Sequence, residues 1–97
     1  MTDIEYEKDL VTAALNKVNG YVACERIIIK FIRRYLEKGL ADISIITCLK
    51  TLNKHFEEVV ETTADANIQI NYRYAIGFIN TLLRTPSWRS WVQSIQV

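Results

Sequence analysis

The chain has 97 residues, 49% apolar and 24% charged, with a net charge of +1. That length suits one domain, which should bury roughly 65% of its unfolded surface without a metal or disulfide. The balance excludes a disordered chain and a strongly polyanion-seeking one, and one proline with three glycines points away from a turn-rich all-β fold.

The start, MTDIEYEKD, has neither the basic opening nor the apolar run of a secretion signal. No window approaches the roughly 18 uninterrupted apolar residues of a membrane span. A cytoplasmic protein with no membrane partner is expected, complete from Met1 because that residue leads directly into a helix start.

Thr2 and Glu5 have the spacing of a capping box. Asp3, Glu5, Glu7 and Asp9 place negative charge where a helix dipole favours it. Ile4, Val11, Ala14, Leu15 and Val18 form one stripe and Asn19-Gly20 suits a C-cap, so a first helix is expected over 3–19. A second should span 21–38 and stop at Gly39, with Ala23, Cys24, Ile27, Ile28, Phe31, Ile32, Tyr35 and Leu36 inward. The β-branched run RIIIKFI inside it also suits a strand, but Phe31–Tyr35 and Ile32–Leu36 are helical pairs.

The third segment, 42–63, is the most cleanly divided. Ile45, Leu49, Leu52, Phe56, Val59 and Thr63 alternate steps of four and three, with Thr47, Lys50, Thr51, Lys54, Glu57, Glu58 and Glu61 opposite. That is a helix with one wet face, and Asp42 suits its N-cap. Residues 68–84 carry two patterns. Ile68, Ile70, Tyr72 and Tyr74 alternate like a strand, whereas Ile68, Tyr72, Ala75, Ile76, Ile79, Leu82 and Leu83 keep helical spacing. A lone strand would be marginal, so a fourth helix is expected. Thr85-Pro86 then opens a short fifth helix over 86–95, with threonine as N-cap and proline at its first position. The fold class is therefore all-α, a single-domain antiparallel helical bundle.

Charge falls in blocks. Acids dominate 1–16, bases 17–54 and acids 55–65, while 66–97 holds three arginines and no acid. Glu57, Glu58 and Glu61 lie at the wrong end of the third helix for its dipole. An exposed ion pair with Arg73 or Arg26 is expected to compensate.

Chemistry is sparse. Antiparallel register puts Cys24 and Cys48 about 12 Å apart along the helix axes, too far for an internal disulfide. His55, the sole histidine, is two turns from Cys48 and has no partners for a metal site or triad. Serines lack a Gly-x-Ser-x-Gly context, and there is no glycine-rich phosphate loop. No enzyme, cofactor, metal or small-molecule substrate is expected.

The C-terminal third concentrates Tyr, Trp and Arg, the residues enriched at interfaces. Gly77 interrupts its helix, as glycines do where a neighbour approaches closely. The expectation is a protein-interaction module (an adaptor, inhibitor or self-associating scaffold component, with a homodimer as one form) using Tyr74, Phe78, Trp88 and Trp91. The alternative is a nucleic-acid-associated regulator contacting phosphates through Arg26, Lys30, Arg33, Arg34 and Lys38.

Overall fold

The computed structural model describes residues 3–95, with side chains from residue 8 onward. These residues form five helices and no strand: α1 Asp3–Leu15, α2 Tyr21–Glu37, α3 Asp42–Thr62, α4 Ala66–Leu83 and α5 Trp88–Ser94. The capping box expected at Thr2 and Glu5 lies outside the described side chains. No described helix is long and apolar enough to cross a membrane.

α4 is the element the others pack around, touching α1, α2 and α3. Its buried residues Tyr72, Ala75, Ile79 and Leu82 follow helical spacing. The strand-like alternation fails because Ile70 and Tyr74 are exposed while Tyr72 is enclosed. In α2 the β-branched run is likewise helical, because Ile28, Ile29 and Ile32 are all fully buried, and that burial outweighs a weak local preference.

Two different edges of α4 meet different neighbours. On one, Tyr72 packs edge-on against Phe56 of α3, ring centroids 5.1 Å apart, and Asn53 Nδ2 donates to Asn80 Oδ1 at 2.8 Å. On the other, Tyr74 meets Tyr21 of α2 and Phe78 meets Trp91 of α5.

Several helix ends are finished by distant side chains, and here local expectations need correcting. α1 stops at Leu15 rather than running to 19. Its end is met from α4, where Asn71 Nδ2 donates to Leu15 O at 3.0 Å and to Val18 O, in the connection that follows, at 2.7 Å. Tyr72 adds a hydroxyl donated to Asn16 Oδ1 at 3.0 Å. Gly20 instead precedes α2 as its N-cap, with φ +96°. α3 exits through Thr63 in an extended conformation, so no glycine is needed there. Gln69 Nε2 donates to Val60 O and Thr63 O across that break.

α2 ends as its own sequence indicates. Gly39 adopts φ +79°, its N–H reaches Leu36 O at 3.0 Å and that of Leu40 reaches Tyr35 O at 3.2 Å, a Schellman closure.

At α3 the N-cap is Ala41, not Asp42. The Asp42 carboxylate is instead paired with Arg89 of α5 at 2.5 Å. The pairing expected between Glu57, Glu58 or Glu61 and Arg73 or Arg26 does not form among the described residues. α5 begins at Trp88 rather than 86, since Thr85 Oγ1 donates back to Thr81 O at 2.8 Å and prolongs α4 instead of capping α5.

Gly77 also departs from expectation. A Cβ built there meets nothing within 4 Å, so no neighbour requires its small size. Gly77→Ala should therefore raise the unfolding free energy by about 0.5–1 kcal/mol, through reduced chain entropy and better helix propensity. A urea midpoint that stays put or falls would show that α4 needs the glycine.

Candidate protein-docking surface

The four aromatics expected to form one contact face are divided by the fold. Phe78 and Trp88 are core residues, 2% and 7% exposed, and Trp91 is half-buried against Phe78, centroids 5.6 Å apart. Of the four, Tyr74 alone has a substantially exposed side chain. The expected C-terminal aromatic face is corrected accordingly. α5 covers it, because Trp88 and Val92 on one side of that helix need burial as much as Phe78 does.

Apolar surface is gathered elsewhere. Val22 is 59%, Tyr21 47%, Ile70 46% and Tyr74 37% exposed. Tyr21 and Tyr74 join α2 to α4 through an edge-to-face contact, centroids 5.4 Å apart and planes at 86°. Ile70 lies one turn before Tyr74 on the same side of α4, and Val22 follows Tyr21 in the first turn of α2. Tyr21 is also tied to its own helix, since its hydroxyl donates to the Glu25 carboxylate one turn on. Burial pushes that hydroxyl's pKa up, and the Glu25 charge and hydrogen bond push the same way.

Apart from Tyr74, the residues of this patch escaped the sequence reading because Tyr21 marked a helix boundary and Ile70 fell off the inward stripe. The available signal was the mismatch itself, apolar residues left over once each buried stripe was drawn.

The basic residues of α2 are also divided. Arg33 turns inward over α5, its Nε and Nη2 donating to Val92 O at 3.1 and 2.9 Å, with Nη2 also reaching Gln93 O and Ile95 O. Its guanidinium thereby closes the C-terminus of α5, where a cation also complements the dipole, and it is withdrawn from any phosphate-facing row. Lys38 lies 5.6 Å from the ring centroid of Tyr35. Arg26, Lys30 and Arg34 remain on the exposed side at four-residue steps. Lys30 and Arg34 border a cleft of about 210 Å³ between α1 and α2, floored by Leu10, Val11, Ala14, Ile27 and Phe31.

Cys24 is buried and Cys48 half-buried, both as free thiols. Burial pushes each thiol up, which at Cys48 a hydrogen bond from Tyr35 opposes, so neither gains the thiolate character of a nucleophile. His55 is half-buried, and burial lowers its pKa, helped by Lys8 and opposed by Glu58 and Asp9. Among the described residues no three His, Cys, Asp or Glu are grouped to hold a metal.

The exposed Tyr21–Tyr74 pair and its apolar neighbours form an apolar surface where α2 meets α4. Comparison with protein-family models, curated proteins and solved structures finds no match to this chain.

Proposed function

We propose that the chain is a non-enzymatic, cytoplasmic protein-interaction module, an antiparallel bundle that docks a partner on the seam between α2 and α4. The short connections at 38–41 and 63–65 favour the alternating helix directions, since such turns join neighbouring antiparallel helices. One observation carries the docking reading. Two tyrosines form an exposed, mutually supporting pair beside exposed Val22 and Ile70, although Phe31, Tyr35, Phe56, Tyr72, Phe78 and Trp88 are all buried. Tyrosine suits such a role because it offers wide contact area and a polar tip at low entropy cost.

The test is a photo-crosslinking amino acid placed at Tyr74 and, as a control, at Thr47 on the exposed side of α3, in the native host. Crosslinks to a discrete protein from position 74 only, lost when Tyr21 is replaced by serine, are expected. Tyr21→Ser should itself cost about 0.5–1.5 kcal/mol, the range of a lost aromatic pair, which leaves the fold intact for the comparison. Identical products from both positions, or none, would dismiss the seam as a contact.

The nucleic-acid reading keeps one favourable observation, the exposed row Arg26, Lys30 and Arg34, but without Arg33. Oligonucleotide binding that falls steeply with salt and with Lys30→Gln would favour it over docking.

A further inference from the structure

We infer that Asn19-Gly20 is a site of spontaneous backbone modification, where Asn19 cyclises onto the following amide and reopens as aspartate or isoaspartate. The inference does not depend on the docking reading.

The reaction needs an asparagine side chain in water and a following backbone N–H that nothing else holds. The chain has six asparagines, and the fold sorts them. Asn53, Asn71 and Asn80 lie inside α3 and α4, where the next amide donates along its own helix. After Asn67 the Ile68 amide donates to Asp65 Oδ1, and after Asn16 the Lys17 amide donates to Ala14 O at 3.1 Å. Asn19 differs in both respects. It is exposed in the turn between α1 and α2, and the Gly20 amide meets no acceptor among the described residues. Gly20 carries no side chain to obstruct the approach, and the space around it is open, since a Cβ built there meets nothing within 4 Å.

The steps balance with water as the only co-reactant. The Gly20 nitrogen gives its proton to solvent base and attacks Asn19 Cγ. The Cγ–Nδ2 bond breaks, and the side-chain nitrogen leaves as ammonia with a proton from water. Water then opens the resulting succinimide at either carbonyl. Opening at Cγ gives aspartate. Opening at the α-carbonyl gives isoaspartate, whose main chain runs through Cγ.

The fold adds a restraint and a consequence. Asn67 Nδ2 donates to Asn19 Oδ1 at 2.7 Å, which ties the turn to the first turn of α4 and keeps the side chain from swinging onto Gly20. Aspartate keeps an accepting oxygen at the same reach. Isoaspartate does not, because its backbone is longer by a methylene and its carboxylate arm shorter by one. It would sit between Val18, whose carbonyl is held by Asn71 Nδ2, and Gly20, whose carbonyl accepts from the Cys24 amide. The isoaspartate form must therefore give up one of these bonds, at the corner that leads into Tyr21.

The whole protein, incubated at neutral and mildly alkaline pH in heavy-oxygen water, tests this by peptide mass mapping. Trypsin releases Val18–Arg26, in which Asn19 is the one asparagine, apart from the peptides that carry the others. That peptide should take up solvent oxygen faster than the rest, at a rate that rises with pH, as a mixture of aspartate and isoaspartate told apart by fragmentation. Asn67→Ala should speed conversion roughly two- to tenfold, the worth of one hydrogen bond. Asn67→Asp, which cannot donate and suits the first turn of a helix, should do the same. In the isoaspartate form the side-chain amide resonances of Asn67 and Asn71 should move, whereas in Asn19→Asp they should stay near their native positions. Conversion no faster than at Asn16 or Asn80, or conversion to aspartate alone, would overturn the site. An unchanged rate in both folded Asn67 variants would overturn the restraint.

Discussion

Replacing Phe78 with alanine should lower the unfolding free energy by about 3–5 kcal/mol. The ring is 2% exposed and lies against Trp91 of α5, so its loss removes buried apolar area and leaves a cavity between α4 and α5. Against the roughly 5–15 kcal/mol that holds a domain folded, this is a major fraction. Urea denaturation should show an earlier midpoint with an unchanged slope, which marks lost stability rather than a changed unfolding surface. A loss below about 1 kcal/mol would mean that Phe78 behaves as a surface residue.

Arg33→Ala should cost about 2–3 kcal/mol, because hydrogen bonds from a charged donor are lost and partly buried carbonyls are left unsatisfied. The damage should concentrate in α5, whose terminal carbonyls at Val92, Gln93 and Ile95 depend on this one guanidinium. Amide exchange over 88–95 should accelerate far more than over α3, and tryptophan emission should shift to the red as Trp88 and Trp91 meet water. Arg33→Lys should rescue little, since a single ammonium cannot reproduce the planar fork. Oligonucleotide affinity lost with α5 protection unchanged would instead make Arg33 a phosphate contact.

Both variants concern residues whose sequence context suggested a surface role, and both are structural for the same reason. Phe78 and Arg33 lie on helices with more than one candidate partner, and which partner they meet depends on where α5 lies. The α5 segment is only Trp88–Ser94, too short to be stable alone, so its position follows from Trp88 and Val92 burying themselves, Arg89 pairing with Asp42 and Arg33 closing its end. None of those three contacts is local.

Periodicity alone determined that the chain is helical and where its helices lie to within a few residues. Spacings such as Ile45, Leu49, Leu52 and Phe56 allow one solution, and the Gly39 stop requires nothing beyond its own neighbours. Tertiary structure alone decided how the C-termini of α1 and α5 are closed, which aromatics are interior, and which apolar residues stay in water. Asn71 caps α1 from 56 residues away, and Tyr21 meets Tyr74 only because α2 lies beside α4. A stripe of apolar residues states that burial is needed, but the identity of the covering element follows from how all the stripes fit together.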